Sequence, residues 1–221
     1  MTPIAIGFLQ TIPEDLQPWT AGPVPAGCAF WTAARNGQSF YTVPADHYNC
    51  AVGSYTHNIA IPADRGNVLM DTIGFMVEKS YLQMAEVPGI PVLPNTPACI
   101  AYAPVADATF EPNVVLIAAK PAEAMLVYEA ALRAGAGEAL TQTLGRPGCA
   151  VLSLANNTGS AAISFGCKGN RTFTGLPDEE LYIAIPGAKW PAVAQALATI
   201  DGANDAMEAH YKAHEAAIKG A

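Results

Sequence analysis

Prolines and glycines, 18 and 19 of them, cut this chain into short pieces, and the pieces alternate between the two periods a backbone can bury. Six runs of four to six residues, rich in β-branched or aromatic side chains, lie between the cuts: Ile4 to Leu9, Ser39 to Val43, Cys99 to Pro104, Val114 to Ala118, Ala162 to Phe165 and Leu181 to Ile185. They read as strands and suffice for one sheet. The clearest helix starts at Pro121, a favourable first position, carries Glu123 near its positive end, places Met125, Tyr128 and Leu132 on one face, and stops by Gly135. Shorter helices are expected over Gly27 to Arg35 and Asp71 to Met84.

From Pro191 nearly to Lys219 the residues Val193, Leu197, Ile200, Met207, Tyr211 and Ile218 fall on one helical stripe. At 1.5 Å per residue such a helix reaches about 40 Å. It is expected to project past the sheet or pack on a second subunit, unless Gly202 breaks it in two. The stretch carrying Pro13, Pro18, Pro23 and Pro25, and the one over residues 88–97, read as ordered loops. The expected fold is α+β: a single mixed or antiparallel sheet with packed helices and a long C-terminal helix, residues 1–221 forming one domain. The helix after Ala118 suggests a crossover, whereas the connection from Phe165 to Leu181 suits a returning hairpin.

Composition narrows the function. Hydrophobic residues make up 51% of the chain and charged ones 14%, against a usual charged share of about 25%. Such a chain buries a large core and leaves a lightly charged surface, on which a homo-oligomeric interface is expected. The net charge of −8, without any run of Lys or Arg, argues against a nucleic-acid partner. No window approaches the ~18 apolar residues of a membrane helix, and the N-terminal residues do not read as a secretory signal. A cytoplasmic location is expected, where the five cysteines stay reduced.

Four of those thiols stand beside residues that shape turns: Gly27-Cys28, Asn49-Cys50-Ala51-Val52-Gly53, Gly145-Arg146-Pro147-Gly148-Cys149 and Gly166-Cys167-Lys168-Gly169-Asn170-Arg171. Turns bring backbone amides close to sulfur, amides stabilise thiolates and cluster sulfurs, and four thiolates are what a [4Fe–4S] cluster takes. Each could equally be a small buried hydrophobe. Cys99, inside the apolar run Ala98 to Ala103, reads as core. Arg146, Arg171 and Lys168 adjoin the special thiols and could hold an anion. His57 lies a turn or two beyond Cys50 and could serve as an axial haem ligand. His210 and His214 share a helix face but read as a solvated pair. Asp178, Glu179 and Glu180 read as a solvated turn. No dinucleotide fingerprint, P-loop or nucleophile elbow occurs.

The segments Gly145 to Ala150, Ser164 to Arg171 and Phe173-Thr174-Gly175-Leu176-Pro177-Asp178-Glu179-Glu180-Leu181-Tyr182 resemble the DUF169 family, an uncharacterised group also called ArCR. Cys28 with Ala34-Arg35-Asn36-Gly37, Asn49-Cys50, Tyr102-Ala103-Pro104, and Pro112 to Leu116 with Pro121 to Met125 follow in the same order, so the resemblance spans nearly the whole chain. It implies no activity. It does imply a cytoplasmic protein of archaea and anaerobic bacteria, with recurrent thiols at Cys28, Cys50, Cys149 and Cys167 but not at Cys99. Where relatives often carry further cysteines near Cys50, this chain has Ala51 and Val52.

Two functions are therefore expected to compete. In one, Cys28, Cys50, Cys149 and Cys167 hold an iron–sulfur cluster or another metal, Arg146, Lys168 and Arg171 receive an anion, and the partner is a small molecule or a redox protein. In the other, a non-catalytic protein binds haem, another tetrapyrrole or a small anion in a pocket walled by Trp19, Phe30, Trp31 and Tyr55, with His57 or a cysteine as axial ligand.

Overall fold

The computed structural model describes residues 2–137, 141–142 and 147–219. The expected strands form as β1 (Ile4–Leu9), β2 (Phe40–Thr42), β3 (Cys99–Pro104), β4 (Val114–Ala119), β6 (Ala162–Ser164) and β7 (Leu181–Pro186), joined by a short β5 (Thr141–Gln142) that the sequence reading lacked. They make one sheet in the order β2-β3-β1-β4-β7-β6-β5, antiparallel throughout except for the edge pair β5–β6. The returning path from β6 to β7 is as expected. Two crossovers occur: the helix after Ala118 joins β4 to β5, which run parallel, as expected, and α5 (Ala150–Thr158) joins the parallel pair β5 and β6.

Alternation sorts each strand's side chains into two layers. Val114, Leu116 and Ala118 of β4 join Tyr182 and Ala184 of β7 in one core. Val115, Ile117 and Ala119 join Ile183 and Ile185 in the other. Both faces are therefore covered, which explains why β3 and β4 are buried at every position. The first face carries α1 (Ala29–Arg35), α5 and the aromatic group Phe30, Trp31, Phe40 and Tyr102. The second carries α4 (Pro121–Arg133) and α7 (Trp190–Lys219). Burying each large aliphatic side chain contributes about 1.5–3 kcal/mol.

Helix α4 forms with the bounds the sequence suggested, but another face is buried. Ala124, Val127, Ala130 and Ala131 are covered while Met125 and Leu132 are exposed, because small residues let α7 approach closely. Helix α7 continues through Gly202 unbroken; Val193 and Ile200 are buried, and residues 201–219 stand in solvent. Among the described residues three further α-helices form: α2 (Ala51–Thr56), α3 (Val68–Glu78) and α6 (Lys168–Thr174). Helix α3 starts earlier and ends sooner than expected, with a separate 3-10 turn over Met84–Gly89. Among the described residues no helix is long and apolar enough to cross a membrane.

Glu180 corrects the reading of residues 178–180 as a solvated turn. Its carboxylate accepts both Arg35 guanidinium bonds, at 2.7 and 3.0 Å, which hold the carboxyl below its ordinary range and tie α1 to the entry of β7. The exit of β7 is tighter still. A Cβ at Gly187 would stand 1.7 Å from the Pro112 carbonyl oxygen, and the Gly187 N–H donates to Asn113 O at 2.8 Å. Gly187→Ala is expected to cost about 3 kcal/mol or more by overpacking. A urea unfolding midpoint equal to the wild type's would contradict this packing of the β7 exit.

Candidate functional site

Each of the four turn-flanked cysteines caps the N-terminus of a different helix: Cys28 on α1, Cys50 on α2, Cys149 on α5 and Cys167 on α6. All four line one pocket of about 340 Å³. Helix starts leave backbone donors unpaired, and of the four thiols Cys167 takes such a donor as its cap, the Asn170 N–H. Cys99 does not line the pocket; it is buried in β3, its thiol donating to Thr11 O at 3.4 Å.

Local geometry gives each sulfur its own partner. The amides of Gly27 and Gly53 oppose the rise that burial gives the Cys50 thiol, and the Cys167 sulfur accepts the Asn170 N–H at 3.3 Å. At α1 and α5 the helical turn begins earlier, the Ala29 N–H donating to Ala26 O and the Ala150 N–H to Pro147 O. Those two sulfurs rely instead on side chains: Asn170 beside Cys28, and Thr56 Oγ1, which donates to Cys149 Sγ at 3.4 Å. Asn170 thereby serves two thiols at once.

Glycine permits two close approaches. A Cβ on Gly53 would fall 2.7 Å from Cys50 Sγ, and one on Gly148 would fall 3.2 Å from the Cys167 nitrogen and 3.6 Å from its sulfur. The starts of α5 and α6 therefore lie close, and a side chain at 148 would need the Cys167 backbone to give by a few tenths of an ångström.

Burial dominates the electrostatics. It pushes the Cys28 thiol up to about 12, with repulsion from Cys50 and Cys167 adding to it and the Asn170 bond opposing. Cys149 is driven well up by burial, then by Cys50, Cys167 and Cys28, and Cys50 is raised by burial against its two amides. Every pair among the four thus interacts electrostatically. These three thiols are protonated at neutral pH, so a metal binding them displaces protons and gains affinity as pH rises.

His57 lines the pocket, 2% exposed, with neither ring nitrogen partnered. Burial lowers its pKa to about 4, and burial together with His57 lowers that of His47 to about 3. His47 Nε2 meets Thr42 Oγ1 at 2.8 Å. The rest of the wall is mostly apolar, with Leu69, Ile73 and Met76 of α3 and Phe173 of α6, and also carries the polar side chains of Asn49, Tyr55, Thr72, Tyr81 and Asn170. No Lys, Arg, Asp or Glu belongs to it among the described residues. Nor do three His, Cys, Asp or Glu side chains there stand grouped as ligands of a single metal ion.

The remaining expected residues fall elsewhere. Arg171 directs its guanidinium to the carbonyls of Phe165, Pro177 and Glu180, fastening the loop before β7. Lys168 is exposed, and Arg146 lies outside the described residues. Of the expected aromatic wall only Tyr55 lines the pocket; Phe30 and Trp31 are core. His210 and His214 are exposed on α7. Sequence reasoning missed Asn170, Thr56 and the α3 wall as site components; Asn170 and Gly53 stood within the quoted cysteine segments, but α3 carried no signal beyond an ordinary apolar face.

No curated protein and no solved structure matches the chain. The family model DUF169, described as uncharacterised ArCR, matches residues 1–196, which include every described residue of the pocket. The chain belongs to the DUF169 family.

Proposed function

We propose that this protein holds a cysteine-ligated iron–sulfur cluster in the pocket lined by Cys28, Cys50, Cys149 and Cys167. The observation that carries the reading is that four thiols from four chain segments, each at a helix start, line one cavity, while the fifth does not. A single tetrahedral ion at a metal–sulfur distance of about 2.3 Å needs sulfurs about 3.8 Å apart. A multi-iron cluster holds its thiolates farther apart, and so fits side chains that share a pocket without grouping around one point.

The amide bond to the Cys167 sulfur would raise the potential of such a centre, and the mostly apolar wall would limit water. Bound there, the cluster supplies electron transfer or a site for a ligand. The tetrapyrrole reading draws support from His57 alone, since the described lining offers no cation to a propionate. Free thiols at all five cysteines suit a reducing, anaerobic cell interior.

Protein purified without oxygen is expected to be brown, with iron and acid-labile sulfide in equal amounts. A colourless preparation that stays metal-free after anaerobic reconstitution would overturn the proposal. Gly53→Ala supplies a finer prediction. Its Cβ displaces the Cys50 sulfur while α2 gains a better helix former, so iron content should fall at least severalfold with the melting temperature nearly unchanged.

A further inference from the structure

We infer that the same pocket binds a neutral, mostly apolar organic molecule whose polar head hydrogen-bonds to His57. The inference rests on His57 and the apolar wall rather than on the thiols, and because a cluster and this molecule would share one cavity of about 340 Å³ it concerns the metal-free chain. His57 is 2% exposed and both its ring nitrogens lack partners. A buried polar atom left unpaired is costly, and unpaired ones mark places where a ligand or water completes the site. A neutral imidazole presents one N–H donor and one lone pair, which suits a hydroxyl, an amide or a carbonyl.

The lining sets the rest of the ligand's character. Leu69, Ile73 and Met76 from α3, with Leu82, Ile90 and Phe173, offer apolar surface to a molecular body. Among the described lining residues no cation awaits a carboxylate or phosphate and no carboxylate awaits an ammonium. About 340 Å³ lies at the small end of ligand pockets, the size of a one- or two-ring molecule rather than a nucleotide or a macrocycle.

The test uses four probes of one shape: 2-naphthol, naphthalene, 2-naphthoate and 2-naphthylmethylammonium, titrated by calorimetry into the metal-free full chain. Expected is binding of 2-naphthol about tenfold tighter than naphthalene, and of naphthalene tighter than either ion. In His57→Leu the naphthol preference should collapse to about one while naphthalene still binds, which shows the pocket intact. Met76→Trp, filling the cavity from α3, should abolish all binding and serves where the histidine variant does not fold. Absence of naphthol binding, tighter binding of either ion, or a naphthol preference that survives His57→Leu overturns the inference. Anaerobic reconstitution of the same chain separates the two claims: naphthol binding by a chain that takes up no iron sinks only the cluster, and iron uptake by a chain that binds no naphthol when metal-free sinks only the ligand.

Discussion

Cys167→Ala and Cys149→Ala are expected to lose at least nine-tenths of their iron, whereas Cys99→Ala keeps all of it. Each pocket thiol is one of four, and a cluster deprived of a ligand becomes open to water and to loss of iron. Cys167 is the sharper case. Its sulfur accepts the Asn170 N–H at the start of α6 and packs beside Gly148 at the start of α5, so its removal opens the seam where two of the helices meet. Cys99 differs only in position. It lies within β3, paired with Leu9 of β1, and its replacement removes one buried sulfur at a cost of about 1 kcal/mol. Iron assay alongside thermal melting separates lost ligation from lost folding. Equal iron in all three variants would mean the pocket thiols are core residues and nothing more.

The second large effect is acid sensitivity well above the carboxylate range. His47 and His57 are fully buried and neutral, their pKa values lowered to about 3 and about 4 by burial. The unfolded chain titrates its histidines near 6.5. Below that pH the unfolded state takes up protons that the folded state refuses, so stability is complete above about 6.5 and is lost as pH falls toward 4 and then 3. Between pH 7 and 5 the loss is about 2 kcal/mol for each histidine, about 4 kcal/mol together. This window depends only on both folded values lying below 5. A total stability of 5–15 kcal/mol makes that a large fraction. Urea unfolding at pH 7, 6 and 5 should show it, and His57→Phe should halve the slope; a flat profile over this range would show that the two rings are hydrated or charged.

Much of this was legible in the residues because strands and long helices declare their periods. The bounds of α4 followed from Pro121 and Gly135, and the strands followed from β-branched runs between breaks. Helices α5 and α6 were not legible. Ala150–Thr158 is built from Ala, Ser and Asn beside two leucines and a valine, and Lys168–Thr174 contains Gly169 and Asn170. Such sequences favour turns in isolation and become helical through packing on the sheet. The cysteines were legible as a set because a glycine, proline or asparagine precedes each one closely. The role given to Arg171 was not, since a guanidinium that fastens three carbonyls looks, in sequence, like one awaiting an anion. The two-sided burial of the sheet could be read only in hindsight, from the unbroken apolar run of β4.

The most direct measurement is iron K-edge X-ray absorption on anaerobically reconstituted protein. A cluster on four thiolates predicts a first shell of sulfur alone, four per iron, and a short iron–iron distance, both absent from Cys167→Ala. A first shell of nitrogen and oxygen, or iron without an iron neighbour, would contradict the cluster at Cys28, Cys50, Cys149 and Cys167.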